Sequence, residues 1–573
     1  MCIVFAMRTQ KMRVFRALLW LWMLVFCLWT PQAKAGGFEL SGVGTRGLGR
    51  GGAFTARVDD PLALAINPSA LSEIESQILL NATLVIWDAC VTRSGNYAAP
   101  GAPPGETYAG GASIFGPSDG PDQPSLWADR PFHTVCNQGF PQIVPQLGLN
   151  LRLTRDLGLG AGIIAPNGTG TARFGGDDGT ITAEGRKFPT PVRYAMTSQD
   201  LLLFFPSVGV GYRPIDWLRV GLTLQWGVAI INYVNYVSSG ASASGIPPTP
   251  GFEDPSADIR SRLSVVDPFV PAGILSIHLV PIDAMDVVLW GRLSDAVGGF
   301  VPAEGTLELT TGAYGTGSET SFVPNTTKIG GTTLHAGQPF LFGLALRLAD
   351  RTRPRTHQRT LGEALAKRIE DALVEERFDI ELDVVYEHLR QVTDFVVTPP
   401  PGSQVVLKPG GGAAPLSVAV PTPLPIPHGW SDVLTFRLGG DVNAISGLLA
   451  LRSGVSFELP LDTSFRHYLQ NDFIGGWRLG LHTGATLRLE RFDVSIAYAF
   501  FLAETINVEP RDARFRRINA LDQKGVCMDG ATYDPNRPVT SRGCYPAGYG
   551  EVVNAGRYEQ NFHLISLGVT YHF

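Results

Sequence analysis

The last twelve residues, Phe562 to Phe573, restrict the fold more than any other stretch of the chain. Ile565, Leu567, Val569, Tyr571 and Phe573 fall on one face of a strand, and Ser566, Gly568, Thr570 and His572 on the other. Side chains of a strand alternate faces with a period of two, so this strand has an oily side and a polar side. Such a strand ending the chain on an aromatic residue, with the same pattern recurring upstream, predicts a closed barrel. Its oily side would face lipid and its polar side a lumen.

The alternation recurs along the chain. Leu218, Val220, Leu222, Leu224, Trp226 and Val228 alternate with Arg219, Gly221, Thr223, Gln225 and Gly227. Phe378, Ile380, Leu382, Val384 and Tyr386 alternate with Asp379, Glu381, Asp383 and Glu387. Fourteen strands are expected: 77–90, 142–153, 156–166, 200–213, 216–233, 263–279, 284–294, 339–348, 378–391, 431–443, 447–458, 477–489, 491–502 and 562–573. Most reach the ~9–11 residues that cross a bilayer when tilted. Short connections (Thr154-Arg155, Pro214-Ile215, Glu490) alternate with long ones (91–141, 167–199, 234–262, 295–338, 392–430, 459–476, 503–561). Short inner turns, long outer loops and an even strand count are the layout of bacterial outer-membrane barrels.

One connection breaks the rhythm. Within 350–377, Leu361, Leu365, Ile369, Ala372 and Leu373 lie at helical spacing, which predicts a short amphipathic helix on the short-turn side. It reads as an insertion packed under the barrel, or as a docking site for a periplasmic partner. The N-terminus reads as a secretory signal over 1–35. Arg8, Lys11, Arg13 and Arg16 precede an apolar run from Ala17 to Trp29, and Ala33-Lys34-Ala35 supplies the cleavage pattern. Thirteen apolar residues are too few for a spanning helix, which needs about 20. Cys90, Cys136, Cys527 and Cys544 remain beyond the signal. Four cysteines allow three pairings. Cys90 with Cys136 and Cys527 with Cys544 are favoured, because each pair closes a single loop. A net charge of −6 argues against nucleic acid as a partner.

Residues 36–76, rich in glycine and small side chains, precede the first strand of the barrel at 77–573 and are too few to fold alone. Within them, Gly47 to Arg57, then Asp59-Asp60, then Asn67-Pro68-Ser69-Ala70-Leu71, resemble the N-terminal hatch of FadL/TodX-type outer-membrane transporters. The third position of the Asn-Pro-Ala motif is Ser69 here. Trp430 to Gly439, Leu451 to Gly454, and Gly556-Arg557-Tyr558 with the terminal strand are similar to later parts of the same family. The resemblance implies an all-β fold: a fourteen-stranded antiparallel transmembrane β-barrel plugged by its N-terminal hatch. It implies a carrier of long-chain fatty acids or other hydrophobic small molecules across the outer membrane, without cofactor. It also implies a route: capture among outer loops, an apolar pocket, movement of the hatch, and lateral exit into the membrane lipids at a kinked third strand. The corresponding residues are Asn67, Pro68 and Ser69 for the hatch motif and Gly158, Gly160 and Gly162 for the kink. These glycines equally suit close packing against the hatch.

A carboxylate head group would favour arginine or lysine. Arg219, Arg437, Arg452, Arg478 and Arg488 sit on polar faces, where pairing with Asp379, Glu381 or Asp383 is the plainer role. No His-Glu-x-x-His, Cys-x-x-Cys, P-loop or Gly-x-Ser-x-Gly pattern occurs. No metal site and no catalytic residue are expected. Gly176-Asp177-Asp178-Gly179 lacks the rest of a calcium loop and reads as a turn. Two alternatives to transport stand: a lipid-acting enzyme, for which Ser566 and His482 are the candidate pair, and a structural or adhesive barrel.

Overall fold

A computed structural model describes residues 39–97, 131–166, 168, 170–239, 255, 258–313, 322–351, 371–392, 394–408, 414–518, 526–527, 544–545 and 549–573. The signal at 1–35, and the expected helix apart from its end, lie outside them. That end is a single helical turn, Ala372–Glu375, capped by Asp371, whose side chain accepts from the Leu373 N–H.

Fourteen wall strands follow in chain order: β1 (Gln77–Arg93), β2 (Gln142–Arg152), β3 (Leu157–Ile164), β4 (Ser198–Ile215), β5 (Leu218–Ser238), β6 (Asp258–Ile282) and β7 (Met285–Ser294), then β8 (Phe340–Arg351), β9 (Glu376–His388), β10 (Val433–Ile445), β11 (Leu449–Pro460), β12 (Arg478–Leu489), β13 (Phe492–Ala503) and β14 (Gly556–His572). Each is antiparallel to its chain neighbours, and β14 returns to pair with β1 from Gln77↔His572 to Arg93↔Gly556. The sheet therefore closes on itself through β1 and β14.

The orientation follows the sequence pattern. Outward positions are oily and exposed: Leu80, Ile143, Leu224, Leu275 and Leu567 are each more than half exposed. Inward positions carry buried Asp379, Glu381, Asp383, Arg452, Arg478 and Asp493. Exposed aromatics gather at two levels. Trp217, Phe378, Phe492 and Phe573 lie near the short turns, and Trp226, Phe300 and Phe140 lie toward the long loops. From Trp217 to Trp226 a strand tilted by about 40° climbs roughly 23 Å, close to the ~25 Å apolar band of a membrane barrel.

Above that band the wall continues. β6 runs for 25 residues, far more than one crossing requires. Its lower part pairs with β7, and its upper part, Arg260 to Val266, pairs with a strand at Ala303–Thr311. That strand forms a hairpin with Asn325–His335, which in turn reaches Asp394–Thr398. The stretches 295–338 and 392–430, expected as loops, thus build an upper sheet that roofs the barrel.

Residues from Glu39 to Glu75 lie inside the cylinder. Two short helices, α1 (Gly44–Gly49) and α2 (Ala63–Ile66), and a 3-10 turn (Pro68–Ser72) are almost wholly buried against the inner face. Two glycines with positive φ, Gly51 and Gly52, let the chain reverse after α1. The segment spans the height of the barrel. Glu39 meets Arg292 near the loop end of β7, and Ser76 meets Phe573 and Arg152 at the short-turn end.

Candidate functional site

The wall is smooth where the N-terminal segment touches it. A Cβ on Gly158 would strike Leu71, one on Gly160 would crowd Leu64 and Leu71, and one on Gly221 would strike Pro68 and Ser69. On the opposite wall, Gly439 and Gly454 make the same room for Arg50. Inward glycines of the strands are therefore sockets for the segment, which needs close backbone approach.

Asn67, Pro68 and Ser69 form one of these contacts. Asn67 Nδ2 donates to the Thr55 carbonyl at 2.9 Å, Ser69 Oγ donates to Asn67 Oδ1 at 2.5 Å, and the Ser69 N–H donates to Ser276 Oγ of β6 at 2.9 Å. Pro68 opens the 3-10 turn, where its missing N–H costs nothing. Ser69 thus supplies a side-chain bond that alanine at this position would lack.

The other contact is ionic. Arg50 is fully buried, with Nη1 2.9 Å from Asp379 Oδ1 and 2.7 Å from Asp441 Oδ1, and Nη2 2.9 Å from Asp379 Oδ2. Thr55 Oγ1 donates to Asp383 at 2.7 Å and the Ala56 N–H to Glu381 at 2.6 Å. Arg46 bridges Asp59 at 2.9 Å and Asp493 of β13 at 2.7 Å. Burial alone would raise Asp59, but the Arg46 and Arg57 guanidiniums hold its carboxyl well below the usual range. Asp60 behaves oppositely. Burial, together with its neighbour Asp59 and against the pull of Arg46, raises it to about 6.

The second feature is a breach in the wall. β3 has eight residues, fewer than a full crossing needs. It pairs with β2 as far as Ile163 and with β4 as far as Ile164. Ala165 and Pro166 lie outside the sheet, and the chain pairs with β4 again at Thr171–Arg173. The edge of β2 from Gln142 to Gln146 faces no strand on that side. Side chains satisfy the freed backbone instead. Gln146 Nε2 donates to the Ala165 carbonyl at 2.7 Å, and the Gly170 N–H donates to Gln142 Oε1 at 2.9 Å. Pro145 and Pro166 stand on the rims and offer no N–H to a foreign strand.

A cavity of about 130 Å³ opens at this breach. Its lining takes outward-facing Ile143 and Leu202 together with inward Val144, Leu203, Ala229 and Ile231, so it passes through the wall. Tyr233 and Ile426 also line two further cavities of about 60 and 240 Å³, the last bounded by Arg514 and Arg516 among the loops. Tyr233 fixes its hydroxyl on the Ala195 carbonyl at 2.6 Å. Glu39, at the head of the N-terminal segment, lines the first cavity.

The kink glycines Gly158, Gly160 and Gly162 lie in the paired part of β3, and the breach begins two residues beyond them. None of the five arginines singled out in the sequence lines the apolar cavity. Arg219 pairs with Glu73 at 2.5 Å, Arg452 with Asp441 at 3.3 Å, Arg478 with Glu458 at 2.5 Å and Arg488 with Asp493 at 2.6 Å, while Arg437 lies against Gly52. Ser566 and His482 serve different partners. Ser566 Oγ bonds Thr45 Oγ1 at 2.8 Å, while His482 Nδ1 donates to the Leu48 carbonyl at 2.8 Å and Nε2 meets Ser456 Oγ at 3.0 Å. Gly176 to Gly179 form a turn closed on Thr180. Among the described residues, no group of three or more His, Cys, Asp or Glu is placed to hold a metal ion.

Cys90 and Cys136 are joined in a disulfide that ties the end of the 91–141 connection to β1. Cys527 and Cys544 face each other in backbone register; their side chains lie outside the described residues.

No family model and no curated protein matches the chain. Solved structures do match its fold. A Pseudomonas aeruginosa FadL homologue superposes with a TM-score of 0.60 at 14% identity, covering 94% of this chain and 100% of that one. The Pseudomonas putida toluene transporter TodX does so with a TM-score of 0.52 at 14% identity, covering 93% and 99%. The fold expected from the hatch-like residues is the fold found.

Proposed function

From a fold shared with a FadL homologue and a toluene transporter, we propose that this protein carries hydrophobic small molecules across a bacterial outer membrane. The observation that carries this reading is the apolar cavity that passes through the wall at the breach after Ile164. A ligand enters among the loops, moves past Tyr233 and Ile426, and leaves sideways between β2 and β4 into lipid. An apolar molecule gains ~0.8 kcal/mol for each CH₂ withdrawn from water. A lateral exit keeps that gain, whereas descent through a wet lumen would forfeit it. Residues 39–76 act as the hatch, closing the lumen to water while the wall stays open to lipid. Glu39 lets an arriving ligand disturb the hatch directly.

Filling the breach tests the route. Gly168→Trp, alone and with Ala165→Trp, should cut uptake of a hydrophobic probe into cells at least tenfold. The barrel itself should keep its heat-resistant migration in gels. Unchanged uptake through the filled wall would rule out lateral exit.

A further inference from the structure

We propose that two carboxylates, Glu39 and Asp472, make the cavity at the breach selective for uncharged hydrophobes over anionic ones; this rests on the transport reading above. They are the charged residues of the described lining, which holds no lysine, arginine or histidine. The basic partner of each stands behind it. Arg292 Nη1 is 2.8 Å from Glu39 Oε1, and the guanidinium lies over the Phe205 ring at 4.7 Å. His428 Nε2 is 2.9 Å from Asp472 Oδ2, Nδ1 is 3.0 Å from the Ile426 carbonyl, and Trp430 stacks on the ring at 4.3 Å. Both ring nitrogens face oxygens. Arg292 and His428 are thus committed to these partners and not to the cavity. Asp472 is 1% exposed, and its Oδ1 accepts from the Phe473 N–H at 2.8 Å, so the carboxylate is held in place.

A carboxylate head arriving here sheds water and meets two carboxylates instead of a cation, and an unpaired buried charge is expensive. The acid therefore enters neutral. A carboxyl with an ordinary pKa near ~4.3 is protonated about once in 500 molecules at pH 7. The acid's apparent affinity is thus lowered about 500-fold at pH 7 and about tenfold more at pH 8. Arg514 and Arg516 stand only at the outer cavity, beside Asp394, and do not offset this inside.

The test is displacement of radiolabelled butylbenzene from the full chain in detergent micelles by 4-phenylbutan-1-ol and by 4-phenylbutanoate, at pH 7 and 8. Support is an alcohol at least a hundredfold more potent than the acid at pH 7, with the gap about tenfold wider at pH 8. Asp472→Asn, and separately Glu39→Gln at the less buried site, should each raise the acid's potency at least several-fold. Equal potency of acid and alcohol at both pH values overturns the charge screen and leaves the transport reading standing. No specific binding of butylbenzene overturns both.

Discussion

At the scale of single residues, Arg50 is the hub of the contacts between the N-terminal segment and the wall. It answers Asp379, Glu381 and Asp441, all buried. Removing one partner of such a cluster costs about 3–5 kcal/mol, because the remaining charges stay buried without a counterion. Arg50→Ala should therefore loosen the N-terminal segment and raise ion conductance in planar bilayers, while the barrel still folds. Asp60 gives a pH dependence. Its carboxyl titrates near 6 when seated and near ~4 when released, so seating carries a penalty above pH 6 that is relieved as pH falls toward 4. That difference amounts to roughly 2–3 kcal/mol. Asp59 has the opposite sign, and its contribution fades only below about pH 4. Protease resistance of the segment should rise from pH 7 to pH 5, and Asp60→Asn should flatten that rise. Arg50 lies inside the motif that the sequence displays, yet its role was not legible there. Its acidic partners are 329 and 391 positions away, and only the folded wall sets them side by side.

At the scale of elements, the strands were readable from their periodicity, whereas an opening at the third strand was implied only by the family resemblance. Period-two alternation needs only local sequence, so all fourteen strands are found close to their expected bounds. Glycine is ambiguous: it permits a kink, and it equally permits close approach. In β3 the glycines serve contact with Leu64 and Leu71, and the signal for the break was Pro166, which cannot donate to a ladder. The upper hairpin at Ala303–Thr311 and Asn325–His335 escaped notice because its Thr-rich segments alternate weakly. The socket idea can be tested on β5. Gly221→Leu should push Pro68 and Ser69 inward, raising conductance at unchanged barrel stability. Normal conductance would show that the contact is slack.

For the whole molecule, we propose that the cylinder and its contents are separable. The wall closes through β1 and β14 without the N-terminal segment, and inward charges left behind can be hydrated by lumen water. Deleting 36–73 should leave a folded, heat-resistant barrel with greater permeability to small polar solutes; complete loss of the barrel would show that wall and segment fold as one. In the sequence a glycine-rich head differs in pattern from the alternating strands that follow it. The sequence did not convey the cavity, which draws on β2, β4, β5, the upper sheet and the 461–477 loop at once.

The seat of the N-terminal segment includes Asp493 on β13 and Ser566 on β14, the last two wall strands to be synthesised. The N-terminal segment therefore cannot take up these contacts until β13 and β14 are in place. On the hatch reading proposed above, closure of the lumen would wait on the last strands of the wall.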